Sequence, residues 1–263
     1  MKKLQSPHNY YLDDPKAKLL KTSLLAGKIM MENGSEAYRV EDTMKRIVIN
    51  GGEENCSCYV TATGIFVGLE NQQRVMIDNV EQRVINLEKV VAVNELSRQF
   101  AEKKITLDVL YKKLNQINHR VPTFPLWLEI LAAGIISAGA MYLFGGALSD
   151  LLITFIIGCA GFSISVICKQ LINLNYFDLF ISSLVIGFLS ICAVKYHFAT
   201  NIDPIIIGSI MPFVPGVAIT NSFRDILAGH LISGLARGTE ALIVAATISA
   251  GIATIFNLIG GWL

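Results

Sequence analysis

Charge is scarce in this sequence. Only 16% of its 263 residues are Asp, Glu, Lys or Arg, against roughly 25% in ordinary soluble proteins. The shortage is uneven: residues 1–120 hold 33 of the 43 charged side chains, and residues 121–263 hold ten. A chain so divided reads as a soluble domain, 1–121, followed by a membrane domain, 122–263. Histidine and cysteine are also few, at four and five. Cys56 and Cys58 sit two apart in an expected strand, while Cys159, Cys168 and Cys192 fall in apolar runs. No spacing suggests a disulfide framework or a zinc site, so the thiols read as small buried hydrophobes. There is no His-Glu-x-x-His, no legible Ser/His/Asp grouping, no Walker motif and no Gly-x-Gly-x-x-Gly. These absences argue against metalloprotease, triad-hydrolase and nucleotide-binding chemistry. No cofactor, metal or nucleic-acid partner is expected. The opening residues MKKLQSPHNYYLDDPKAK are basic but lack an apolar core, so they do not read as a signal peptide, and the soluble part is expected in the cytoplasm.

What is present in 1–121 is periodic. Residues 16–32 read as a helix stopped by Asn33-Gly34. Ser35 is placed to cap the next helix, with Glu36 in its first turn. Along that helix Ala37, Val40, Met44, Ile47 and Val48 make one apolar stripe, ending at Asn50-Gly51-Gly52. From Cys58 the period becomes two, through Val60, Ala62, Ile65, Val67 and Leu69. Gly64 shifts the phase and reads as a bulge. Residues 70–73 turn the chain into a second strand over 74–78. Helices over 86–103 and 107–118 follow, the latter capped by Thr106. This is a small α+β unit. Glu41 and Asp42 point about 100° apart on a helix and read as a solvated face rather than an acid/base pair. His8 and His119 stand alone.

After the RVPTFP junction come apolar runs of roughly the 20 residues that a bilayer core demands. They cover 126–148, 151–172, 177–198, a short interrupted 204–220, and 239–262, with Trp262 suited to the interface. The fold class is therefore an α-helical polytopic membrane protein of about five spans with an N-terminal cytoplasmic α+β domain. Glu129 lies near the start of the first run. Gly158, Gly161, Ser165, Gly234, Gly238, Ala246 and Ala250 are small residues that let helices approach closely. With the N-terminus inside, Lys169, Arg224 and Arg237 fall in inner loops and Lys195 in an outer one. A sixth span over 221–237 would bury Arg224, Asp225 and Arg237 in lipid, which is costly.

The stretch IMPFVPGVAITNSFRD breaks its own helix. Pro212 and Pro215 lack the N–H and clash with carbonyls four residues back, and Gly216 adds freedom. The freed carbonyls need protein or water rather than lipid, and broken helices near the midplane are a way in which transporters build sites. If 221–240 is one helix, Asp225, Gly229, Ser233, Arg237 and Glu240 share a small polar face, and Leu227, Leu231, Leu235 and Leu242 an apolar one. Arg224 lies among the leucines, within reach of headgroups or a partner chain. On one helix Asp225 and Arg237 are about 18 Å apart and cannot pair, whereas Arg237 and Glu240 can. His230 reads as an exposed loop residue.

The segments GSEAYRVEDTMKRI, VTATGIFV, NLEKVVAVNELSR and IIIGSIMPFVPGVAITNSFRDILAGHLISGLARGTEAL resemble the N-terminal half of the threonine/serine exporter family, over about residues 17–260. The resemblance implies a bacterial inner-membrane secondary exporter of about ten spans, made as one fused chain or as two. It also implies that this five-span chain is the larger subunit, with a short hydrophobic membrane partner supplying the rest. The family often reads Thr-Pro-Thr-Gly where this chain has Thr61-Ala62-Thr63-Gly64, and Gly-Asp where it has Gly229-His230. The expected substrate is a small carboxylate-bearing metabolite, threonine or serine, with a dicarboxylate such as succinate as the alternative; export is expected to draw on the proton gradient. The expected binding or coupling residues are Pro212, Pro215, Gly216, Thr220, Asn221, Arg224, Asp225, Gly229, Ser233, Arg237 and Glu240, because arginine binds carboxylates well. A membrane-embedded enzyme using the same polar face is the rival reading, and it lacks a nucleophile or metal cluster. A non-transporting assembly or sensory subunit is the third.

Overall fold

The computed structural model describes residues 14–70, 74–81, 84–119, 124–172 and 174–259. His8, Trp262 and the first four residues of the RVPTFP junction lie outside them. The chain forms two compact units. The first holds Met1–Pro122 together with Val217–Thr239; the second holds Thr123–Gly216 and Glu240–Leu263. The segment Val217–Thr239, assigned by sequence to the membrane domain 122–263 though not read as a span over 221–237, clusters with the first unit.

In the first unit, α1 (Pro15–Glu32) opens on Asp14, whose carboxylate accepts the Lys16 N–H at 3.0 Å, with Pro15 in the first helical turn. It closes at Gly34, whose φ of +90° is the left-handed value that ends helices. The helix α2 (Ala37–Asn50) buries the expected stripe of Ala37, Val40, Met44, Ile47 and Val48. Its cap is not the expected one. Glu36 is the boundary residue and makes no capping bond with its side chain, and the buried Ser35 hydroxyl finds no partner among the described residues.

The expected bulged strand is two strands. The strands β1 (Cys56–Val60), β2 (Gly64–Leu69) and β3 (Arg74–Asn79) form an antiparallel sheet in that order. The reason is local: the Thr61 hydroxyl accepts the Gly64 N–H and donates to the Gly64 carbonyl, both at 2.9 Å. The phase shift at Gly64 is therefore the exit of a tight turn. Cys58, Val67 and Met76 stand in register on the inner face, and Tyr59, Phe66 and Ile77 on the outer one. The helices α3 (Leu87–Ala101) and α4 (Leu107–His119) complete the layer, capped by Asn86 and Thr106. Leu20, Ile29, Met30, Met44, Ile65, Leu110 and Leu114 are fully buried in one core. Glu41 and Asp42 pair with Lys45 and Arg46 one turn on, a surface arrangement.

In the second unit, α5 (Leu126–Leu143), α6 (Leu151–Leu171) and α7 (Phe177–Lys195) are followed by α8 (Ile202–Ile210) and a 3-10 turn, Met211–Phe213. Small residues set the contacts. A Cβ at Gly158 would lie 2.2 Å from the Ser137 hydroxyl, and one at Gly208 would lie 2.5 Å from the Ser137 carbonyl oxygen. The helix α5 therefore lies close against both α6 and α8. Asp150, buried before α6, accepts the Thr200 N–H and hydroxyl, which ties the α5–α6 and α7–α8 connections together. Four described helices are long and apolar enough to cross a membrane; the broken pair Ile202–Phe213 and Gly216–Leu227 makes a fifth if it counts as one span.

The single helix expected over 221–240 does not form. Instead α9 (Gly216–Leu227) and α10 (Leu231–Ile259) are separate. Gly229 has φ +88°. The His230 N–H donates to the Asp225 carbonyl at 2.8 Å and the Gly229 N–H to the Ile226 carbonyl at 3.0 Å. These two bonds make a Schellman motif, which only a residue tolerant of positive φ closes cheaply.

Candidate functional site

The turn at Gly229 folds the polar residues of α9 and early α10 against one another. Ser222 and Gly234 form the seam: the Ser222 hydroxyl donates to the Gly234 carbonyl at 2.7 Å, and a Cβ at Gly234 would meet Ile226 at 2.5 Å. Across this seam Arg237 Nε lies 3.6 Å from Asp225 Oδ2. The expectation that these two residues are too far apart to pair fails because it assumed a continuous helix.

The paired face meets the corner between α1 and α2. Asn221 Nδ2 donates to the Gly34 carbonyl at 2.9 Å, and Arg237 Nη2 to the Ser35 carbonyl at 2.7 Å. Arg224 Nη1 donates to Glu36 Oε1 at 2.7 Å. The Ala37 N–H donates to Asp225 Oδ1 at 2.8 Å. Asp225 therefore caps α2 from a distant part of the chain, supplying the acceptor that Ser35 does not, with its negative charge at the positive end of the helix. Ser233 donates to the Val60 carbonyl at the end of β1, at 3.1 Å.

Burial makes this corner costly to disturb. Asp225 is fully buried and Arg237 is 9% exposed. Asp225 Oδ2 has no hydrogen-bond partner among the described residues and depends on the Arg237 charge. Burial pushes the Glu36 carboxyl up, but its own backbone N–H and the Arg224 and Arg39 guanidiniums prevail, and it stays below its ordinary value. His230 is partly buried rather than exposed, 3.8 Å from Glu41.

Of the expected site residues, Asn221, Arg224, Asp225 and Arg237 come together on the α1–α2 corner; Ser233 holds β1, and Gly229 makes the reversal that allows both. Thr220 faces outward on α9. Pro212, Pro215, Gly216 and Glu240 belong to the second unit. The sequence reading missed Glu36 as an acceptor for Arg224. It also missed two buried carboxylates of the second unit, Asp150 and Asp178, the latter accepting the Ser165 hydroxyl at 2.7 Å. An acid directly before or in the first turn of an apolar run is the signal that marks both. Among the described residues, no group of three or more His, Cys, Asp or Glu is placed to hold a metal.

The profile of the threonine/serine exporter family, ThrE, matches residues 21–259. The chain belongs to the threonine/serine exporter family. A relative from Mycobacterium tuberculosis, named "Probable threonine/serine exporter", is 20% identical over 242 residues, covering 89% of this chain and 45% of its own length. This family member thus spans about half the length of that relative. No solved structure matches it. Family membership and the four described helices long and apolar enough to cross a membrane mark the chain as a multi-pass membrane protein of a transport family.

Proposed function

We propose that this chain is one half of a secondary exporter of small carboxylate-bearing metabolites, threonine and serine, in the bacterial inner membrane. The single observation that carries the reading is the family match over residues 21–259. A second small hydrophobic membrane subunit supplies the other half. The proton gradient drives export, and the N-terminal unit lies in the cytoplasm, as the basic flank Lys112, Lys113 and Arg120 before the first apolar run favours. Pro212, Pro215 and Gly216 shape the broken segment that lines the path, with Thr220 following it on α9 and Glu240 on α10. Asn221, Arg224, Asp225, Ser233 and Arg237 act by holding the α9–α10 reversal, pivoted on Gly229, to the α1–α2 corner. Their hydrogen-bonding atoms are turned to the protein's own backbone and to Glu36.

The test is efflux from cells that express the chain with and without a candidate second half, loaded in turn with threonine, serine and succinate. Threonine and serine export that requires both halves and collapses with a protonophore is expected. Export of succinate alone would replace the substrate assignment; no export of any of the three by the pair would overturn the reading.

A further inference from the structure

The reversal between α9 and α10 is polar where it packs against α1, α2 and β1, and its other side is apolar and uncovered among the described residues. Phe223 is 65% exposed, Leu227 86%, Leu231 57%, Ile232 63% and Leu235 63%. Phe223 and Leu227 fall one turn apart on α9, and Leu231 and Leu235 one turn apart on α10, so each helix presents a stripe. The inner face carries Asn221, Ser222, Asp225, Ser233 and Arg237, all buried. That is the reverse of a soluble helical hairpin, whose leucines would face the core.

Chain connectivity says what covers the stripe. Gly216, where α9 starts, follows the apolar α8 segment, and Thr239 is followed without interruption by the rest of α10. Both ends of the reversal are thus tied directly to membrane-spanning candidates. The 29 residues of α10 measure about 43 Å at helical rise, against about 30 Å of hydrocarbon core. The 20 residues from Glu240 to Ile259 fill that thickness, which leaves the Leu231–Thr239 turns beyond the core at the level of the headgroups. A helix with an apolar stripe of Phe and Leu on one side and polar groups on the other has the composition of an element lying in that interface.

We propose that the apolar face of the α9–α10 reversal lies in the interfacial layer of the bilayer, with lipid acyl chains as its partner. The reversal is then a monotopic element, gripping the α1–α2 corner with one face and the membrane with the other. The proposal rests on the membrane character of the spans and not on which substrate is exported.

The test uses the full chain in phosphatidylethanolamine/phosphatidylglycerol vesicles. Trp127 and Trp262 are replaced by Phe, and one tryptophan is introduced in turn as Leu227→Trp, Leu231→Trp or Leu235→Trp; these exposed sites disturb no packing. Leu242→Trp, on the part of α10 that fills the core, gives the lipid-facing reference. The expected result is blue-shifted emission, quenched by lipids brominated near the headgroup more than by lipids brominated near the chain end, and insensitive to aqueous iodide. Quenching by iodide would place the stripe in water and overturn the proposal. Emission shielded from both quenchers would mean that protein covers the stripe, a second copy or the other half, and would overturn it equally.

Discussion

Asp225 Oδ1 accepts the Ala37 N–H at 2.8 Å across 188 residues of chain. The first turn of α2 is therefore capped by a carboxylate that no local reading of the Asn33–Ala37 corner contains. The same carboxylate faces Arg237, so one side chain joins a helix end, an ion pair and a chain reversal.

Asp225→Ala removes both the cap and the counter-charge of Arg237. A lost cap costs about 1 kcal/mol, and a buried charge left without its partner costs about 3–5 kcal/mol. Asp225→Asn keeps an oxygen for the Ala37 N–H and loses only the charge. Hydrogen exchange in detergent is expected to show loss of protection at residues 37–40 in Asp225→Ala, and retention there in Asp225→Asn despite its lower melting temperature. Equal exchange in both variants would refute the cap.

Arg237→Ala leaves Asp225 buried against an empty position. The double variant Asp225→Ala/Arg237→Ala is expected to be less destabilised than the two single changes summed, by about 1–3 kcal/mol, since neighbours in one network couple to that degree. A double-mutant cycle by chemical denaturation measures this term. Strict additivity would mean that the 3.6 Å contact contributes nothing.

Glu36 supplies a pH-dependent part of the stability. Its carboxyl is held below the ordinary 4.5 in the folded chain. A depressed acid contributes stability that is complete above its unfolded value and is lost as pH falls through the folded one. Glu36→Gln removes that contribution. The melting temperatures of the natural chain and of Glu36→Gln should therefore differ at pH 6–7 and converge as pH falls below about 4.5. A difference that persists unchanged at pH 3 would show that the Arg224 contact is not electrostatic.

Gly208 and Gly216 make opposite predictions. A Cβ at Gly208 would sit 2.5 Å from the Ser137 carbonyl oxygen and 2.8 Å from the Met141 nitrogen, both backbone atoms that cannot yield. Gly208→Ala is expected to cost about 1–3 kcal/mol by forcing α5 and α8 apart. At Gly216 a Cβ meets nothing within 4 Å, so Gly216→Ala should fold normally. Thermal aggregation of the two variants in detergent is the measurement, and any loss of export in Gly216→Ala then reports on the break rather than on folding.

Cys58 should be chemically silent. Burial pushes its thiol up to about 12, so almost none is thiolate near neutral pH. Maleimide labelling of the folded chain at pH 7.5, read by mass spectrometry, should leave Cys58 unmodified until denaturant is added. Rapid labelling would mean that β1 opens.

The elements that local pattern controls were legible in advance. The apolar stripe of α2, the stop at Asn33-Gly34, the cap at Thr106 and the apolar runs each depend on residues within one or two turns, and local pattern reports them. The misreadings share a cause. Gly64 reads as a bulge in sequence because alternation persists through a turn that the Thr61 hydroxyl closes. Gly229 reads in sequence as one small residue on a polar face because its flanks look helical on both sides, whereas its positive φ ends α9.

The amino-acid order alone determined that a charged, periodic N-terminal part precedes apolar runs broken at Pro212 and Pro215, and it carried enough signature to show a resemblance to the threonine/serine exporter family. It could not determine where Asn221, Arg224, Asp225 and Arg237 point. Their partners are backbone groups at residues 34–37, which look like any other turn until the reversal at Gly229 brings them within 3 Å. Hydrogen bonds between distant segments have no periodicity to betray them, so only the tertiary structure decided that these charges grip the chain's own helix corner.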